Sequence, residues 1–413
     1  MTAVGIIAEF NPFHNGHLHL LREAKKAVPG TPAVCVMSGN FLQRGEAAWC
    51  DKWSRTAMAL RAGADLIIEL PVCYAVRSAY YFARGAVQLL ERTGVVTHLA
   101  FGSENGDLDK LKIIAAVIGG ESQDYRNQLK EYLARGYSFA RARSLALQQI
   151  INDPGLSELL LQPNNILALE YLHVLDQLQS PMAALTFPRL GTGYHSNHLS
   201  ELASASAIRS ALTKELNLDA IAASVPPATM QIMAEEISRG RAPVVNETLE
   251  QSILLKLRLA SATELADIYE VGEGLEHRIV KAAQQSVSLA ELKHKIKTKR
   301  YSLSRINRML LYCLWDLSKN QIACFDEYGP QYLHVLGFSP SGQKILQEIK
   351  SQSILPFFSR GSEVKQACRD HGRPVLQAMV ELDQRVCDIY SLLYPNPETR
   401  KGGRDFIMSP IRI

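Results

Sequence analysis

Three histidines, His14, His17 and His19, crowd the stretch EFNPFHNGHLHLL directly behind the apolar run VGII. Two imidazoles three residues apart at the start of a helix share one face, beside amides without intrahelical partners and at the positive end of the helix dipole. That arrangement suits a phosphate. A histidine there can donate to phosphate oxygens and, if protonated, offset the charge that builds up when an α-phosphate is attacked. Two other chemistries compete for the same residues. HxxHxH offers three imidazoles to a metal, but neither HExxH nor a nearby cysteine accompanies it, and His19 falls on a different helical face from His14, so no metal is expected. A satisfied core histidine is the blander alternative, and it explains poorly two polar rings beside Gly16 in a turn that follows a strand.

The elements that must position these groups follow from the periodicity. Short β-rich runs AVGII (3–7), AVCVM (33–37), ADLIIEL (64–70), THLAF (97–101) and AALTF (183–187) alternate with stretches whose apolar residues recur at three and four. This rhythm predicts an α/β fold with a Rossmann-like parallel sheet, right-handed crossovers and ligands at the carboxyl ends of the strands. VGII is then the first strand, NPFHNG the first turn and HLHLLREAKKA the first helix. Pro12 places the turn, and Gly16 lets a ligand approach the backbone. After about Glu215 the strand rhythm gives way at SVPPATM to helical segments. The expected division is a catalytic domain at 1–215 and a mainly helical domain at 216–413, with a possible further strand at QYLHVLGF (331–338).

Composition limits the rest. The 413 residues are 47% hydrophobic and 21% charged, an ordinary globular balance with room for more than one domain. No apolar run approaches the length of a membrane helix and no secretory layout opens the chain, so a cytoplasmic protein with no membrane contact is expected. Seven scattered cysteines without a CxxC pair predict reduced thiols. The formal charge of +4 is small, but Arg278 to Arg308 holds nine Lys and Arg against one acid, Glu291. Clustered cations interleaved with Tyr301 can follow a phosphate backbone, and a solvated helix face is the competing reading.

NPFHNGHLHLL resembles the HxGH signature of the nucleotidylyltransferase superfamily. ASASAIRSAL (203–212) resembles that superfamily's second motif, ISSTxIR, with Ala203 in place of the isoleucine. Hydroxyls opening a helix can cap its amides and face a phosphate while Arg209 supplies a fixed cation. MSGNFLQRGEAAWCDKWSRTAMAL (37–60), GADLIIELP (63–71), FARGAVQLL (82–90), FGSENGD (101–107), QPNNILALEY (162–171), YEVGEGLEHRI (269–279) and KTKRYSLSRINRML (297–310) carry the likeness further. Together they resemble the bacterial tRNA(Met) cytidine acetate ligase family, with the last 60 or so residues contributing least.

The resemblance implies an enzyme that joins ATP and acetate into acetyladenylate, releases pyrophosphate, and passes the acetyl group to N4 of the wobble cytidine of elongator tRNA(Met). It implies catalytic roles for His14 and His17. The ATP cradle runs through Ile7, Ala8, Glu9 and Phe10 of the strand end, Asn11, Pro12 and Phe13 of the turn, then Asn15, Gly16, Leu18, His19 and Leu20. Gly102, Asn165, Arg189, Ser204, Ser206 and Arg209 complete it. Asn164 competes with Asn165, and Gly102 could equally be a simple turn glycine. Ser38, Gly39, Asn40, Gln43 and Arg44 are expected to shape the acetate or cytidine pocket. Lys52 and Arg55 could meet phosphate, although an exposed helix start is the plainer expectation for Arg55. Lys293, Lys295, Lys297, Lys299, Arg300, Tyr301, Arg305 and Arg308 are expected to contact tRNA. Mg²⁺ is expected with ATP, with no carboxylate cluster to mark its ligands, and no protein partner is expected. Two rival functions remain on the residues alone: a small-molecule adenylyltransferase, and a nucleotide- or RNA-binding protein that has lost catalysis.

Overall fold

The structure, a computed structural model, describes residues 2–189 and 201–413 apart from Glu121, Asn152, Pro154, Gly155, Ser157, Glu158 and Leu161. Its strands are β1 (Ala3–Ala8), β2 (Ala33–Ser38), β3 (Leu66–Leu70), β4 (Val96–Ser103), β5 (Ala183–Pro188), β6 (Leu333–Phe338), β7 (Phe357–Phe358) and β8 (Ile411–Arg412). They form one eight-stranded sheet in the order β5-β4-β1-β2-β3-β6-β7, with β8 also on β6. All pairings among β1 to β5 are parallel, as the alternation of strands and helices predicts.

The central strands are buried on both faces, which is why they read as continuous apolar runs. Val34 and Val36 of β2 enter one hydrophobic cluster, while Ala33, Cys35 and Met37 enter the cluster on the opposite face. The chain runs from β1 outward through β2 to β3, then returns to place β4 on the other side of β1. The strand order therefore reverses between β1 and β4, and a crevice opens at their carboxyl ends, where Ala8 and Gly102 lie.

The sheet does not stop at residue 215. β6 pairs antiparallel with β3, through Leu66↔Phe338 and Glu69↔His334, so the expected extra strand becomes a continuation of the same sheet as β1 to β5. The larger hydrophobic cluster likewise joins Val36 and Phe41 to Tyr312 and Trp315. Between the two halves the chain is helical, with Asn246–Leu259, Leu275–Gln285, Leu289–Ile296 and Leu303–Trp315 packed on one another. Among the described residues all seven cysteines are free, and no helix is long and apolar enough to cross a membrane.

Candidate functional site

The first turn of helix Asn15–Ala27 is built around its two histidines. His14 is the N-cap, with extended backbone, and its Nδ1 accepts the Gly16 N–H at 3.0 Å. His17 Nδ1 in turn accepts the His14 N–H at 3.2 Å, a reciprocal cap made by imidazoles. With both Nδ1 atoms accepting, each neutral ring carries its proton on Nε2, so Nε2–H is the donor left for a ligand. The rings lie 3.8 Å apart and Phe10, at φ +49°, packs its ring edge-on 5.0 Å from His17. Gly16 is required for this geometry: a Cβ there would stand 2.8 Å from His14 Cε1.

Burial lowers the pKa of both imidazoles. For His14 burial is the main cause, with Arg189 and Arg209 adding to it, and the pKa falls to about 3. For His17 burial is followed by His14 and Arg189, and the value falls well below the usual one. The protonated histidine allowed by the sequence is therefore not the form of the free site. Positive charge comes instead from arginines. Arg209 donates to the Asn11 carbonyl at 2.8 Å, with a second nitrogen 3.8 Å from Glu46, and Ser204 caps its helix, Ala205–Lys214, by accepting the Ala207 N–H.

These groups face a cleft of about 690 Å³ at the carboxyl ends of β1 and β4. Ile7, Ala8, Glu9, Phe10, His14, His17 and Leu20 line it, as do Gly102, Arg189, Ser204, Ser206 and Arg209. Part of the lining is apolar, with Phe82, Phe101, Leu167 and Tyr171. At Gly102 a Cβ would lie 3.2 Å from the Arg189 stem, so this glycine serves the approach of Arg189.

Other members of the expected cradle support it from behind. Asn11 Oδ1 accepts the Trp49 N–H, and Phe13 is fully buried against His17. Asn15 donates to the carbonyls of Glu201 and Ala223, tying the histidine turn to the chain beyond β5. Pro12, Gly16, Leu18 and His19 are not part of the lining. Asn165 is buried and spent on Glu104 N–H, Leu159 O and Gln162, so the competing Asn164, which donates to Glu104 at 2.7 Å, is the asparagine on the cleft.

The expected acetate or cytidine pocket divides. Gln43 and Arg44 line the cleft, but Ser38, Gly39 and Asn40 do not. Asn40 accepts the Lys52 N–H and donates to Cys387 Sγ, and Gly39 abuts the Glu69 carboxylate. The expectation for Lys52 and Arg55 also changes, because neither is an exposed helix start. The Lys52 ammonium lies 2.7 Å from both Glu69 and Asp405, within the one His/acid group among the described residues that has metal-ligand spacing, Glu69, His334 and Asp405. A lysine already fills that place. Arg55 is fully buried and donates to the carbonyls of Glu9, Ser38, Gly39 and Cys50, binding the ends of β1 and β2 together. Helix periodicity gave no warning of this, since the acceptors are backbone atoms brought near only by the fold.

The basic run does not form one free stripe. Lys293 is half-buried, Lys295 bonds Glu291, Arg300 pairs with Glu273, and Arg305 pairs with Glu270 while its guanidinium lies 4.8 Å from the Tyr301 ring. Lys297 and Lys299 are exposed. Arg308 leaves the surface altogether: it is 6% exposed and lines the cleft with Leu303, Ser304 and Asn307. The second half of the chain thus supplies a wall of the site, which no local signal indicates.

Residues 1–405 match the family described as HIGH Nucleotidyl Transferase. The tRNA(Met) cytidine acetate ligase of Syntrophomonas wolfei is 55% identical, covering 100% of this chain and 99% of that protein. The protein of the same name from Halothermothrix orenii is 40% identical over the whole of both chains. The crystal structure of Thermotoga maritima TmcAL bound with alpha-thio ATP superposes over 100% of both chains with a TM-score of 0.93 at 34% identity. The chain belongs to the HIGH nucleotidyl transferase family and, within it, to the tRNA(Met) cytidine acetate ligases.

Proposed function

We infer that this protein is an ATP-dependent ligase that converts acetate to acetyladenylate and transfers the acetyl group to N4 of the wobble cytidine of elongator tRNA(Met). The observation that carries the chemistry is the pair of neutral imidazoles, each with Nε2–H left to donate, sharing one cleft with Arg189 and Arg209 at the switch point of the sheet. Donors fixed before the reaction stabilise charge developing on an α-phosphate without having to reorganise.

In the first step a carboxylate oxygen of acetate bonds to the α-phosphorus as the bond to the β-phosphate oxygen breaks, and pyrophosphate leaves with the electron pair. In the second, the cytidine N4 attacks the acetyl carbon, AMP leaves, and N4 loses a proton. His14 and His17 are assigned to the phosphates, the apolar part of the lining near Gly102 to adenosine, and Asn164 to the nucleotide beside it. The Gln43–Arg44 loop is assigned to the acyl and cytidine side, and the exposed Lys297 and Lys299 to tRNA.

The cleft does not fit a protein-made Mg²⁺ cage. Of its carboxylates, Glu9 accepts the Gln43 N–H and burial raises its pKa, while Glu46 lies near Arg209. Mg²⁺ would arrive on the phosphates. The same reading puts the enzyme in the cytoplasm with its tRNA.

The test is incubation with labelled acetate, ATP and total bacterial tRNA, followed by digestion of the RNA. Label in N4-acetylcytidine is expected. Unlabelled RNA together with adenylyl transfer to a small phosphate ester would replace this reading with the small-molecule one.

A further inference from the structure

Arg308 is a buried cation with no described anion to meet it. It is 6% exposed, its Nε has no hydrogen-bond partner, and a terminal nitrogen donates to the Gln43 carbonyl at a long 3.4 Å. The Nε atoms of Arg77 and Arg404 are also unpartnered, but those guanidinium groups are already paired with Asp326 and Asp51. Among the described residues no acid forms an ion pair with Arg308. Beside it, Asn307 Oδ1 is buried without a partner and lines the same cleft. Burying a charge is costly unless an opposite charge compensates it, so a cation open to a ligand cleft points to an anion brought by the ligand.

The sheet order says which part of the cleft this is. Gly102 and Arg189 lie at the β4 and β5 ends, the histidines at the β1 end, and the loop after β2 carries Gln43 to Glu46 beyond them. That loop is pressed onto helix Leu303–Trp315. Gly45 has φ +76°, and a Cβ on it would stand 2.5 Å from the backbone nitrogen of Arg308, so only glycine permits the contact. Arg308 is thereby fixed on the β2 side, while the reading above assigns the phosphates to His14 and His17 at the β1 end.

We propose that Arg308 binds the carboxylate of the acyl substrate, holding one carboxylate oxygen while the other attacks the α-phosphate. This rests on the acetate-activating reading above. It moves Arg308 from the tRNA surface, where its place in the basic run had put it, to the substrate pocket. A phosphate oxygen of ATP offers the same oxyanion chemistry, and the two sources separate kinetically.

The test is acetate-dependent ATP–pyrophosphate exchange by the full chain, comparing wild type with Arg308→Gln and Arg308→Lys. Loss of a charge-assisted hydrogen bond is expected to raise the KM for acetate at least about tenfold in Arg308→Gln. The KM for ATP should stay within about twofold, and lysine should restore part of the acetate affinity. Thermal stability should not fall, since no protein ion pair is lost. A rise confined to the KM for ATP, unchanged constants for both substrates, or a loss of kcat accompanied only by lower stability would each overturn the proposal. Absence of exchange in the wild type would instead overturn the acetate-activating reading beneath it.

Discussion

Lys52→Met tests whether the buried lysine is a structural counter-ion or a phosphate ligand. Lys52 is 1% exposed and its ammonium lies 2.7 Å from Glu69 and from Asp405, whose side chains are themselves 6% and 2% exposed. Methionine keeps the length of the side chain and removes the charge. Two buried acids then face each other with His334, at 2.7 Å from Glu69, as the nearest compensation. Removing one partner of a buried pair costs about 3–5 kcal/mol, so the urea midpoint should fall markedly. Adding Asp405→Asn should recover part of the loss, because one of the stranded acids becomes neutral.

The pH dependence gives the sign. Burial pushes the Glu69 carboxyl up, but Lys52 and His334 outweigh it and hold the pKa at about 2, below the ordinary 4.5. Glu69 therefore contributes stability that is present above about pH 4.5 and lost as the pH falls toward 2. In Lys52→Met this acid-induced loss should begin at higher pH. A variant with the wild-type urea midpoint and no acetyladenylate formation would refute the reasoning, and would return Lys52 to the phosphate role that its sequence position allowed.

His17→Ala should lower acetate-dependent pyrophosphate exchange by about 10²-fold or more while preserving the far-ultraviolet circular dichroism of the fold; wild-type exchange would remove His17 from the chemistry. His14 stays neutral in the folded protein down to about pH 3, whereas the unfolded chain protonates it near 6.5. Stability should therefore fall between those values as pH drops, by about 2 kcal/mol at pH 5 from this group, and His14→Asn, which keeps an N-cap acceptor, should flatten the urea-midpoint profile. Replacing Lys297 and Lys299 together with alanine should weaken tRNA binding and lower its log–log salt slope by about 2, leaving acetyladenylate formation intact; an unchanged slope would exclude them from phosphate contact.

The five parallel strands and the histidine turn were legible because each signal is local. Continuous apolar runs mark strands buried on both faces, and HNGH placed directly after such a run puts both rings in the first turn of a helix. SASAIR likewise carried its own cap in Ser204 and its own cation in Arg209. Charge state and neighbours were not legible. His14 and His17 are neutral because the fold buries them near arginines far away in the chain, and Arg55 and Lys52 are interior because their acceptors come from separate strands, helices and the C-terminal region.

The same limit explains Arg308 and the expected break at residue 215. In the sequence Arg308 closes a basic run, and that part of the chain carries only helical periodicity. In the structure β6 completes the sheet beside β3, and Gly45 docks its loop on the helix that carries Arg308. Residues close together in the chain are enough to specify the β-α-β framework, the imidazole-capped turn and the family likeness. Tertiary structure alone decided which charges are buried, which protons the histidines hold and which distant helix closes the cleft, because desolvation and ion pairing depend on neighbours in space rather than in sequence.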